Sequence, residues 1–387
     1  MREYALTFVI AAAVTYLLVP LVRRFAIAFG ATPPVRDRDV HTEPIPRLGG
    51  LAIYGGFAAA LLISAQLPHL QDVFLADTWM GLLLAGGLIT IVGVIDDRWG
   101  MDALSKLAGQ TAAAGILVWQ GVQLLWLPLP GTQLSLGPWL GAMISILLIV
   151  VTINAVNFAD GLDGLAAGIV AISSLAFFAY YYVVAVEQGF VRQSYPAMIA
   201  IILAGTCAGF LCHNFHPAKV FMGDTGAMLL GLLLTSITIT VTGQFDANTA
   251  REGFNSGLVV FLPVALPLLV IALPLADLVL AVVRRTLAGK SPFAPDRGHL
   301  HHRLLDMGHS HVRAVLLMYL WAGIVAFAAV ALSVFDSWLI VLAVTALVAT
   351  CAVGLIALPR LRRRGLLFPR RKESVKTAPG HDSPTDG

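Results

Sequence analysis

Charge is scarce in this chain. Only 12% of its 387 residues are Asp, Glu, Lys or Arg, about half the share in a soluble domain, which excludes an ordinary solvated globular fold. Cysteine is nearly absent: Cys207, Cys212 and Cys351 all lie in apolar stretches without CxxC spacing, which excludes a disulfide framework and a cysteine-ligated zinc site. The basic residues flank apolar runs rather than lining a polar face, and net charge is only +3, so no nucleic-acid partner is expected. No internal repeat is evident, which argues against a transporter built on inverted repeats. A cleavable signal peptide is also missing. The first apolar run, Tyr4 to Val22, is too long for one, has no small-residue cleavage site and is followed, not preceded, by Arg23-Arg24.

What the chain does have is apolar length: 58% of residues are hydrophobic and mean hydropathy is +0.83. About 20 apolar residues cross a bilayer as helix, and on that measure the sequence predicts an all-α, polytopic membrane protein with eleven spans. They fall near 4–22, 48–66, 80–96, 104–121, 138–155, 165–186, 195–212, 226–243, 257–283, 313–333 and 337–357. Runs 80–96 and 138–155 read as short, and 257–283 carries Pro263, Pro267 and Pro274, which predict a kink. With the N-terminus outside, all Lys and Arg except Arg2, Arg192 and Arg251 fall in inner loops or the C-terminal tail. The expected division is a transmembrane part, 1–358, with cytoplasmic loops, and a cytoplasmic tail, 359–387. The tail opens with a basic stretch suited to anchoring topology or touching anionic lipid, and its Pro/Gly/Ser/Asp-rich end reads as disordered. The location expected is the cell membrane, with the polar clusters on its cytoplasmic face.

Four polar clusters interrupt the apolar pattern. Asp96-Asp97 closes the third run, where acids oppose the helix macrodipole at about 0.3–1 kcal/mol each. They read as a solvated loop start, or as a cation-binding or basic pair with Lys106 placed to orient phosphate. Asn154, Asn157, Asp160 and Asp163 step by three, a drift of about 60° per step in a helix, so the four cannot share one face. Gly161 and Gly164 predict that the helix ends within the run, leaving both acids on a tight turn where they converge with Asn157 on one ligand, or form a plain surface turn. Asp224 follows Gly223 at the start of the eighth run, which suits an N-cap, a metal ligand, or both. Arg297, His299, His301, His302 and Arg303 have no Cys or acid to complete a tetrahedral zinc set and suit phosphate better. Asp277, seven residues before Arg284, about 10 Å of helix, is placed either to reach the polar clusters or to form a structural pair with Arg285, with the pair favoured. Hard oxygen donors favour Mg²⁺ or Mn²⁺ over zinc.

These motifs resemble those of the polyprenyl-phosphate N-acetylhexosamine-1-phosphate transferases, relatives of phospho-N-acetylmuramoyl-pentapeptide transferase. The resemblance is carried by D-D-R-W-G at 96–100, N-A-V-N-F-A-D-G-L-D-G-L-A-A-G at 154–168, H-N-F-H-P-A-K-V-F-M-G-D-T-G at 213–226, R-G-H-L-H-H-R-L at 297–304 and the loop His41 to Gly50. It implies transfer of a sugar 1-phosphate from a UDP-sugar to polyprenyl phosphate, with release of UMP. It also implies that Asp224 binds Mg²⁺ (or Mn²⁺) and that Asp96 and Asp97 serve catalysis, one of them as base. Lys106, Asn154, Asn157, Asp160, Asp163, Arg297, His299, His301, His302 and Arg303 would then bind substrate. The H-L-H-H loop between arginines resembles the N-acetylglucosamine branch, and the wording around it resembles actinobacterial members. UDP-GlcNAc, undecaprenyl or decaprenyl phosphate, membrane lipids and a second copy of the chain are the partners implied. The alternatives are the muramoyl-pentapeptide branch and, from another class, a lipid-linked sugar transporter. An aspartyl-phosphate on Asp96 or Asp97 competes with a single displacement.

Overall fold

The computed structural model describes residues 1–32, 44–75, 78–129, 132–183, 195–242, 309–335 and 337–363, with isolated positions 283, 286, 287 and 289. The run 257–283 as a span, Asp277, the Arg297–Arg303 loop and the chain end beyond 363 lie outside the described residues.

Ten α-helices account for most of what is described: α1 (Arg2–Ala28), α2 (Gly49–Ser64), α3 (Thr78–Trp99), α4 (Ala103–Trp119), α5 (Pro138–Ala159), α6 (Leu165–Tyr181), α7 (Tyr195–Asn214), α8 (Gly223–Thr242), α9 (His311–Val334) and α10 (Trp338–Arg363). Among the described residues, six of them (α1, α3, α5, α7, α8 and α9) are long and apolar enough to cross a membrane, which makes the chain multi-pass. The helices α2, α4 and α6, at 16 to 17 residues, fall short of that length. The two runs that read as short are 22-residue helices, because Asp96-Asp97 and Asn154 to Asn157 continue the helical backbone instead of ending it.

One element departs from the all-α expectation. Strands β1 (Trp126–Leu129) and β2 (Thr132–Ser135) form an antiparallel hairpin, with Trp126 opposite Ser135 and Leu129 opposite Thr132.

The helix α8 is the axis of the bundle. Every residue from Thr225 to Ile239 is buried, as expected of a helix apolar on all sides, and α3, α5, α2 and α7 pack around it. Close approach depends on glycine: a methyl group at Gly93 of α3 would collide with the Thr225 backbone, and one at Gly50 of α2 with Gly226. The chain entering α2 pairs with the chain entering α8. Phe221 N–H donates to Pro46 O at 2.9 Å, and Gly49 and Gly50 N–H donate to Phe221 and Met222 O at 3.0 Å each. Two of the otherwise unpaired first-turn amides of α2 are satisfied in this way. These ends of α2 and α8, with the C-terminal ends of α3 and α5 and the start of α4, meet at one end of the bundle.

Candidate active site

Asp97 sits in the last turn of α3, where its own helix dipole disfavours it, and the structure resolves that conflict through another helix. Its Oδ1 accepts the Asp224 backbone N–H at 3.0 Å. Its Oδ2 accepts the Thr225 N–H at 3.0 Å and the Thr225 hydroxyl at 2.7 Å. A side chain 127 residues away in sequence therefore caps α8, and the dipole of α8 favours the negative charge that α3 opposes. The N-cap expected of Asp224 is thus supplied by Asp97, and the Asp224 carboxylate is left for other partners. Gly223, with φ of 69°, leaves no room for a Cβ against the Asp97 carboxylate.

Asp224 joins the remaining polar groups. Lys106 Nζ, from the first turn of α4, lies 2.8 Å from Asp224 Oδ1 and 2.7 Å from Asp96 Oδ2. Asp96 Oδ1 accepts the Met101 N–H at 2.7 Å. Asn157, near the end of α5, donates its amide to the same Asp224 Oδ1. The α4 start is itself fixed by Asp102, whose carboxylate accepts Leu104 and Ser105 N–H and the Ser105 hydroxyl.

The helix α5 ends at Ala159, and the residues to Gly164 form the tight turn expected of that glycine-containing run. Asp160 caps α5 and keeps some exposed surface, yet its carboxyl lies in an acidic and desolvated setting. Burial first, then the charges of Asp224 and Asp97, push it up to about 8, with Arg47 pulling the other way. Asp163, 4% exposed, points elsewhere: its Oδ2 takes His216 Nδ1 at 2.8 Å and Ala218 N–H at 3.1 Å. His216 stacks on His311 with ring centroids 4.3 Å apart and planes 18° from parallel. Donor atoms of Asp163, His216 and His311 lie within 4.8 Å of one another, but one ion cannot lie in the planes of two stacked rings. The trio is a hydrogen-bonded and stacked brace.

Asn154 stands apart from the cluster, as the 60° drift requires. Its amide donates to Gln110 Oε1 at 2.7 Å and to Val150 O at 2.8 Å, tying α5 to α4. Gln110 is 1% exposed, so Asn154→Ala leaves a buried acceptor without that partner, at about 1–2 kcal/mol. The expected result is a melting temperature lowered by a few degrees, read in a thermal melt.

Sequence reasoning thus brought Asp96, Asp97, Lys106, Asn157, Asp160 and Asp224 to one place, with Asp163 on the adjoining turn. It missed Arg47, Gln110, Asn214, His216, His311 and Tyr319. Arg47, Asn214 and His216 lay inside motifs already noticed, and Pro-Arg-Leu-Gly-Gly before an apolar run was a legible signal. Gln110 and Tyr319 are apolar-run residues whose partners are long-range, and His311, which as a helix-start residue reads as solvated, is instead 9% exposed because it stacks on His216.

The comparisons bear on this same region. Residues 79–242, from α3 through α8, match the family described as Glycosyl transferase family 4. The chain is 48% identical over 343 residues to the decaprenyl-phosphate N-acetylglucosaminephosphotransferase of Mycolicibacterium smegmatis, covering 87% of this chain and 84% of that protein. It is 30% identical over 315 residues to the undecaprenyl-phosphate alpha-N-acetylglucosaminyl 1-phosphate transferase of Yersinia pestis, covering 79% and 77%. It is also similar to the phospho-N-acetylmuramoyl-pentapeptide-transferase of Moorella thermoacetica, at 33% over 341 residues, 85% and 98% of the two chains. At this identity and coverage, with Asp96, Asp97, Asn157, Asp160, Asp163 and Asp224 all inside the matched segment, the chain belongs to glycosyl transferase family 4.

Proposed function

We propose that the protein transfers N-acetylglucosamine 1-phosphate from UDP-GlcNAc to a polyprenyl phosphate, decaprenyl or undecaprenyl, releasing UMP. The observation that carries this reading is the Lys106–Asp224–Asn157 cluster beside Asp96, at the bundle end where Lys and Arg concentrate. The 48% identity to a mycobacterial N-acetylglucosaminephosphotransferase favours this branch over the muramoyl-pentapeptide one. The Lys and Arg asymmetry supports a cytoplasmic site, where nucleotide sugars are made.

The donor set fits a hard divalent cation. Asp224, Asp160 and the Asn157 carboxamide offer oxygen ligands, and Asn157 already donates its amide to Asp224 Oδ1, which leaves its own carbonyl oxygen for a cation. Asp224, with Asp160 and Asn157 beside it, would hold Mg²⁺ or Mn²⁺. Such an ion supplies charge neutralisation for a pyrophosphate and its leaving group.

A lipid-phosphate oxygen attacks the sugar-bearing phosphorus of UDP-GlcNAc, the anhydride bond to the UMP phosphate breaks, and UMP departs with that bond's electrons. One phosphoanhydride replaces another, so the reaction is reversible. Lys106 screens the approach of two anions, and its bond to Asp96 keeps the ammonium aimed at the site. Positioning and electrostatics of this kind dominate phosphoryl transfer. Single displacement is supported by how the adjacent acids are used: both oxygens of Asp97 hold α8, and those of Asp96 hold Met101 N–H and Lys106. Neither is presented as a free nucleophile.

The test is UMP release by purified protein in detergent with polyprenyl phosphate, Mg²⁺ and either UDP-GlcNAc or UDP-MurNAc-pentapeptide. Turnover with UDP-GlcNAc is expected. Turnover only with the muramoyl donor would move the protein to the other branch, and lipid-linked sugar transport without UMP would remove it from the enzymes.

A further inference from the structure

We propose that Tyr319 is a positioning residue that holds the Asp160–Gly164 turn in the shape that takes up the nucleotide sugar. The inference rests on the transferase reading and extends it to a helix outside the segment 79–242.

Gly164 ends the turn in the left-handed region, with φ of 77°, and leads directly into α6. Its peptide groups are gripped from both sides. Its N–H donates to Asn214 Oδ1 at 3.1 Å, and Asn214, itself buried, donates to Val220 O at 2.9 Å just ahead of α8. On the other side, the Tyr319 hydroxyl of α9 donates to the Gly164 carbonyl. The ring that carries this hydroxyl lies against Gly168, where a methyl group would run into it. Glycine at 168 is therefore what admits the tyrosine, and the tyrosine in turn bonds the turn one helical step earlier.

The contact is one of a pair. Two turns before Tyr319, His311 stacks on His216, whose Nδ1 is bonded to Asp163 Oδ2. The helix α9 thus braces the turn directly at Gly164 and, through His216, at Asp163. The contact itself lies away from Asp96, Lys106 and Asp224, which are fixed by α3, α4, α5 and α8, and meets their site only through Asp160 at the far end of the turn. Loss of the Tyr319 hydroxyl should therefore lower the fraction of protein whose Asp160–Gly164 turn is ready to bind. An apparent dissociation constant rises in inverse proportion to that fraction, and the chemistry of the bound complex is left alone.

The test is steady-state kinetics of Tyr319→Phe, which keeps the ring and deletes only the hydroxyl. The Gly164 carbonyl keeps the Gly168 N–H of α6 at 2.9 Å, so the variant loses one net hydrogen bond without stranding the group, which predicts a KM for UDP-GlcNAc raised roughly 3- to 10-fold. The kcat and the KM for polyprenyl phosphate should stay within about twofold, with little change in melting temperature. Gly168→Ala displaces the ring with its hydroxyl intact and should give the same selective rise; the Phe variant decides the matter if the Ala variant does not fold. A UDP-GlcNAc KM equal to wild type in Tyr319→Phe, or a parallel change in both KM values with melting temperature, would overturn the inference. The wild-type control keeps the two readings apart: no UMP release there sinks the transferase proposal, whereas wild-type turnover with an unchanged variant KM sinks only this one.

Discussion

Asp224→Asn is expected to lower kcat/KM for UMP release by about 10²–10³-fold or more, while the protein melts within a few degrees of wild type. The separation of activity from stability follows from how α8 is held. The α8 amides near residue 224 are capped by Asp97, so the Asp224 side chain is not needed to start the helix. Its ion pair with Lys106 is partly exposed, at 25% for Asp224 and 20% for Lys106, and pairs of that kind contribute about 1 kcal/mol or less. An asparagine at 224 can still accept from Lys106 and Asn157 through its carbonyl. What it cannot provide is the negative charge opposite a pyrophosphate-bound cation. Thermal melts and UMP release on the same preparation check both halves. Full turnover in the variant would remove Asp224 from the metal role, and a large loss of stability would show that its charge holds the bundle.

The parts of this arrangement that sequence could reveal are those fixed by local physics. Apolar run length located all the described helices, because a chain that must satisfy its own amides in lipid has little choice but helix. The step of three predicted that Asn154 and Asn157 point apart, and they do: one to Gln110 on α4, the other to Asp224 on α8. Gly161 and Gly164 foretold the turn that carries Asp160 and Asp163. The helix end at Asp96-Asp97 was legible as a C-terminus, and both acids lie in the last turn of α3, but what stabilises them there was not. That support is the N-terminus of α8, more than a hundred residues later, and no local pattern encodes that partnership. Tyr319 was invisible for the same reason. A tyrosine in an apolar run gives no sign of the carbonyl it meets, and Gly168 looks like ordinary helix packing until the ring beside it is seen. The hairpin at 126–135 was missed because its two strands are only four residues each.

Asp97→Ala should produce the opposite profile to Asp224→Asn: stability and activity fall together. The carboxylate, 8% exposed, accepts two backbone amides and a hydroxyl at the start of a deeply buried helix. Removing it strands those donors away from water, where each costs about 1–3 kcal/mol, and takes away the charge that α8's dipole favours. Partial relaxation brings the expected loss to about 3–5 kcal/mol, among the largest effects a single substitution can have. Turnover falls as a consequence, because Asp224 is carried by the first turn of α8, and a frayed start moves its carboxylate away from Lys106 and Asn157. The measurement is a thermal or denaturant melt in detergent beside UMP release at a temperature where the variant is still folded. If Asp97→Ala kept wild-type stability and lost all turnover, the carboxylate would be acting on substrate, and the base would be Asp97. If stability fell but the residual folded protein turned over normally, Asp97 would matter to the bundle alone. The geometry argues for the middle course, in which the second acid of the pair acts on chemistry only by fixing where Asp224 stands.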